Sequence, residues 1–95
     1  MLHILNKPPY SDAANQLLLA LGSDDTVLLI EDAVQAVLHP EWQGWAVSQA
    51  AIFLLAEDAV SRGVYAIATA QSLPLVEMEG FVELTEQSER IISWY

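Results

Sequence analysis

The sequence predicts an α/β fold built on a mostly parallel sheet of four or five strands, and a repeated phrase is the main reason. Val27-Leu-Leu-Ile-Glu-Asp-Ala-Val34 returns as Phe53-Leu-Leu-Ala-Glu-Asp-Ala-Val60, 26 residues later, identical at six of eight positions. Each copy opens as an apolar run too short for a buried helix and suited to a strand covered on both faces. It then turns to an acidic pair followed by helix-forming alanine. A helical pattern separates the two copies, as a βαβ crossover requires. Ninety-five residues without a linker or low-complexity stretch fit one small domain, residues 1–95.

Leu2 to Leu5 is the first strand, ended by Asn6 and by Pro8-Pro9, which can extend neither a ladder nor a helix. Ser11 or Asp12 caps a helix over Asp12 to Leu21, with Ala13, Leu17, Leu18 and Leu21 on its apolar face and Gly22 placed for a left-handed C-cap. Asp24-Asp25 marks a turn into strand two, Val27 to Ile30. A second helix runs from Asp32 to Leu38 until His39-Pro40 stops it, and Glu41 to Val47 reads as irregular. Strand three is Ala51 to Leu55, and helix three runs from Glu57 to Arg62 with Gly63 as its C-cap. Val64 to Leu73 fits a strand edge or a helical turn equally well. Leu75 to Met78 is strand four, Gly80 to Gln87 a helix, and Ile91 to Tyr95 a fifth strand or a packed tail.

Composition narrows the function. Thirteen acids against three bases give a formal charge of −10, which repels nucleic-acid phosphates and anionic membranes, so direct RNA binding is not expected. There is no cysteine, which excludes disulfides, thiolate metal sites and cysteine nucleophiles. No apolar run spans a bilayer, and the opening residues lack the pattern of a signal peptide, so a cytoplasmic protein is expected. A hydrophobic fraction of 54% is high for so short a soluble chain, and part of it is expected to face a partner.

Four acids, Glu31, Asp32, Glu57 and Asp58, are placed at the carboxyl ends of parallel strands, where sites of such sheets usually lie. They could form a divalent-metal or receiver-like phosphoacceptor pocket. Such a receiver would also need acids after strand one and a lysine after the last strand, yet Asn6-Lys7-Pro8 follows strand one. The plainer reading is that acids at a helix start complement its dipole and cap free amides. Nothing fixes His3 near His39, the serines form no nucleophile elbow, and the glycines form no phosphate loop. Catalytic, cofactor-binding and metal residues are therefore expected to be none. Trp42, Trp45, Trp94 and Tyr95 are the candidate interface, because large amphipathic rings in an irregular segment and at a terminus tend to stay partly wet in a monomer. The alternative is that they fold back over edges of their own domain.

Four stretches carry a family resemblance: Met1-Leu-His-Ile-Leu-Asn-Lys-Pro-Pro9, Val27 to Val34, Leu55-Ala-Glu-Asp-Ala-Val-Ser-Arg-Gly63, and Phe81-Val-Glu-Leu-Thr85 leading to Ser93-Trp94. In this set, which samples the whole length in order, the chain resembles the DsrH/TusB family of sulfur-relay subunits. The resemblance implies a compact, three-layer, flavodoxin-like α/β/α sandwich of the DsrEFH type. It also implies assembly with DsrE/TusD-like and DsrF/TusC-like paralogues, usually as a heterohexamer, in which the sulfur-carrying cysteine belongs to the DsrE/TusD-like partner. In the TusB branch such a relay supports 2-thiouridine formation at the tRNA wobble position; in the DsrH branch it serves dissimilatory sulfur oxidation. Some DsrH members carry a cysteine near the first helix, where this chain has Gln16-Leu-Leu-Leu-Ala20, and that difference removes a carrier role and tilts the choice toward tRNA modification. The rivals are the carboxylate-pocket metal or receiver domain and a homo-oligomer that hides its own apolar surface.

Overall fold

Five short parallel strands carry the architecture. The computed structural model describes residues 1–46 and 51–95. In it β1 (Leu2–Leu5), β2 (Thr26–Leu29), β3 (Ala51–Leu55), β4 (Leu75–Val76) and β5 (Ile91–Trp94) form one sheet in the order β4-β3-β2-β1-β5. The intervening helices are α1 (Asp12–Ala20), a 3₁₀ helix over Glu31–Leu38, α2 (Gln43–Ala46), α3 (Ala56–Ser61), α4 (Tyr65–Ala70) and α5 (Met78–Gln87). Both copies of the repeated phrase change from strand to helix within a residue of the expected point.

The strand order decides which helix covers which face. From β1 to β4 the chain steps in one direction, so crossovers of one hand stack their helices on one face of the sheet. That face is the main core, where Leu5, Val27, Leu29 and Leu54 of the strands meet Leu17 of α1, Val34 and Val37 of the 3₁₀ helix, and Ala59, Val64 and Ala68. The return from β4 to β5 sends α5 across the other face, where Leu2, Ile4 and Leu28 are covered by Phe81 and Leu84. Three layers result, with unequal cover. Residues of α5 are at most half-buried, so its face of the sheet is the thinner one.

Local chemistry explains most element ends. Ser11 is the N-cap of α1, its Oγ accepting from the Ala14 amide at 3.2 Å. Gly63, at φ 72°, closes α3: its N–H donates to the Val60 carbonyl at 3.1 Å, and the Val64 N–H to the Ala59 carbonyl at 2.9 Å. These are the paired bonds of a Schellman motif, with buried Val64 as the apolar contact that accompanies it.

Several expectations need correction. Gly22 is not a left-handed cap, because the chain leaves α1 one residue earlier through an extended Leu21, and the Gly22 N–H is used by Asp25 Oδ2 at 2.8 Å. The second helix has 3₁₀ geometry, unusual over eight residues. The Glu41 to Val47 stretch contains α2, and Val47 lies outside the described residues. Strand four is two residues long, since α5 begins at Met78 rather than Gly80. The open segment 64–73 contains α4, and the C-terminal stretch is strand β5. Among the described residues, no helix is long and apolar enough to cross a membrane.

Candidate functional site

At the carboxyl ends of β1, β2 and β3, Asp32 and Asp58 of the two acidic pairs share Arg62, and Asp58 also meets the strained backbone of Glu31. Glu31 has φ 49°, a left-handed conformation that costs a non-glycine residue about 1–2 kcal/mol. Two contacts hold it. Its N–H donates to Asp58 Oδ2 at 2.6 Å, and Asn6 Nδ2 donates to its carboxylate at 3.3 Å. Arg62 donates from Nε to Asp32 at 3.2 Å and lies 3.8 Å from Asp58 through Nη1.

Thus each aspartate of the repeat serves the neighbouring element. Asp58 caps the 3₁₀ helix that follows β2, while its own helix α3 has no side-chain cap. Asp32 pairs with a base at the far end of α3. Among the described residues only Asp58 of these four acids caps a free amide, and it does so on the neighbouring element, a crossed arrangement that sequence spacing could not reveal. Among the described residues, no group of three or more acids and histidines is arranged to hold a metal ion. Asp58→Ala is expected to cost about 1 kcal/mol, as for loss of a helix cap, and Glu57→Ala a few tenths. Urea midpoints for the two variants check this ordering.

A second polar construction ties β5 to β1. His3 is fully buried on the main-core face. Trp94 Nε1 donates to His3 Nδ1 at 3.1 Å, and His3 Nε2 lies 2.8 Å from Asp25 Oδ2. Because Nδ1 accepts from the indole, the proton sits on Nε2 and is donated to Asp25. The two rings are stacked with centroids 6.1 Å apart. The Gly22 amide, and after it the His3 ring, hold the Asp25 carboxyl below the usual carboxylate range. Three segments far apart in sequence meet here, and nothing in the sequence linked Asp25 or Trp94 to His3. Elsewhere on the surface, Tyr10 donates to Glu41 at 2.8 Å, raising the phenol's pKa and lowering that of the carboxylate.

The four candidate interface rings differ in placement. Trp42 is 2% exposed and belongs to the core of its own domain, contrary to the expectation of a partly wet ring. It has this burial because Gly44 leaves room for the indole to fold back against the backbone of α2. Trp45 is half-buried, edge-on to Trp42 at 5.7 Å, and donates to the Ala36 carbonyl at 3.0 Å. Trp94 is half-buried and Tyr95 is 70% exposed.

These features can be set beside known proteins. A family model described as DsrH like protein matches residues 7–91. The chain belongs to the DsrH-like family. Relatives called Protein TusB are 30% identical in Yersinia enterocolitica and 27% identical in a Yersinia pestis strain, each alignment covering 99% of this chain and 100% of the relative. The solution NMR structure of protein Tm0979 from Thermotoga maritima has a TM-score of 0.65 and 22% identity, covering 95% of this chain and 97% of that one. It shows the fold alone, and agrees with the layered parallel sheet described above. Family membership places this DsrH-like chain among sulfur-relay subunits.

Proposed function

We propose that this chain is the thiol-free, non-catalytic scaffold of a persulfide relay that supports 2-thiouridine formation at the tRNA wobble position. The observation that carries this reading is the match to DsrH-like proteins along nearly the whole chain, joined to the complete absence of cysteine. A subunit without a thiol cannot accept persulfide sulfur, so its contribution must be to bind and orient the subunits that do. Of the strand-end carboxylates, Glu31, Asp32 and Asp58 have structural partners of their own. Full-length relatives named Protein TusB favour the tRNA branch over sulfur oxidation.

In this reading the DsrE/TusD-like paralogue carries the reactive cysteine and the DsrF/TusC-like paralogue completes the assembly, a cytoplasmic heterohexamer that does not itself grip RNA. Trp45, Trp94 and Tyr95 offer partly exposed aromatic edges to those partners, and buried Trp42 holds Trp45 in position. Co-expression of the chain with tagged paralogues from the same genome is expected to give one co-eluting complex. Deletion of its gene is expected to remove 2-thiouridine from tRNA digests. A chain that elutes as a free monomer beside both paralogues overturns the reading.

A further inference from the structure

A groove of about 480 Å³ opens beyond the carboxyl ends of β3 and β4, between α3, the start of α4 and the start of α5. Its walls include Val60, Tyr65 and Met78, which are 61%, 44% and 50% exposed. Three apolar side chains from three different helices border this one concavity. Glu57, Glu77 and Glu79 rim the same groove.

Position at helix starts accounts for these acids in part, through the helix dipole. It does not account for the apolar walls beside them. The chain has only three basic side chains of the lysine and arginine type, and Arg62 is engaged by Asp32 and Asp58. Among the described residues no ion pair reaches Glu57, Glu77 or Glu79, and residues 47–50 include no basic side chain. The occupant that complements such a groove is cationic around an apolar centre. A second copy of this chain, at −10, would oppose like charge to like. Nucleic acid is excluded for the same reason.

We infer that this groove is a docking site for a segment of a paralogous subunit that inserts an apolar side chain between Val60, Tyr65 and Met78 and flanks it with lysine or arginine. The inference rests on the scaffold reading above and specifies one of its contact surfaces. The test is capture of the co-expressed tagged paralogues by the full chain at low and at high salt. Glu57→Lys with Glu77→Lys and Glu79→Lys is compared with Glu83→Lys, Glu86→Lys and Glu89→Lys, which change the net charge equally on exposed sites of α5 and the turn after it. The groove triple is expected to weaken capture about tenfold or more, and the control triple about twofold or less. Met78→Asp, which leaves the three glutamates in place, is expected to weaken it comparably. Wild-type capture is expected to fall as salt rises. Thermal unfolding of every variant establishes that it is folded. Equal capture by the groove triple and the control overturns the docking site while the scaffold role stands. No capture by the wild-type chain overturns both.

Discussion

Trp42→Ala is expected to lower the unfolding free energy by about 3–5 kcal/mol, a large part of the ~5–15 kcal/mol that separates folded from unfolded in domains of this kind. The magnitude follows from the position of the ring. Trp42 is 2% exposed and packs in the cluster that includes Leu17, Val37 and Leu54, so truncation leaves a cavity that the sheet cannot collapse to fill. Its Nε1 is buried without a hydrogen-bond partner among the described residues. Trp42→Phe should therefore cost much less than Trp42→Ala, because it also removes a donor whose desolvation opposes folding by about 1–3 kcal/mol. Gly44 is the complementary test. A Cβ there would sit 2.6 Å from Trp42 Cε3 and closer still to Cζ3 and Cη2, and neither a buried ring nor a helix backbone yields readily. Gly44→Ala is expected to cost about 1–3 kcal/mol by overpacking. Urea unfolding with an unchanged m-value checks all three. Wild-type stability in Trp42→Ala would show that the indole is not a core element.

The same residue marks how far the sequence could be read. The strands were legible because a parallel sheet needs both faces apolar, and that demand writes itself into contiguous runs such as Val27 to Leu29. The Schellman turn at Gly63 was legible because glycine tolerates the left-handed conformation there. Trp42 was not, since its burial depends on a missing Cβ two residues away, and pattern reasoning treats glycine in a tryptophan-rich stretch as a sign of irregular chain. The 3₁₀ geometry of the first repeat was likewise hidden, because Ala33, Val34, Ala36 and Val37 satisfy an apolar face in either helix type.

The site was partly legible for a related reason. The approach of Asp32 to Asp58 follows from strand adjacency, since β2 pairs with β3. Which atoms the acids would meet does not follow from it. Arg62 is one turn beyond Asp58, at the C-cap of α3, and only the packing of α3 beside the 3₁₀ helix brings it to Asp32. The groove was illegible for the same reason. Val60, Tyr65 and Met78 belong to three helices, and each alone is an unremarked exposed apolar residue.

Asp25→Ala is expected to cost about 1–3 kcal/mol at neutral pH, with most of that penalty gone in acid. The carboxylate accepts from the Gly22 amide and from buried His3, so its removal leaves the His3 Nε2–H without an acceptor in the core. The pH dependence follows from the lowered pKa of Asp25. A carboxyl whose folded value lies below its unfolded value, about 3.9, contributes its full stabilisation above that unfolded value. The contribution is lost as pH falls through the folded value. The gap between wild type and variant should therefore be widest near neutrality and narrow steadily below about pH 4. Trp94→Phe addresses the other end of the chain of bonds. It leaves His3 Nδ1 without its donor and loosens the edge strand β5 from β1, while Asp25 keeps its partners. Its penalty should persist in acid after that of Asp25→Ala has faded. Urea midpoints of the three proteins across the acid range decide the matter, and an Asp25→Ala penalty that is constant with pH would overturn the linkage argued for the Asp25 carboxyl.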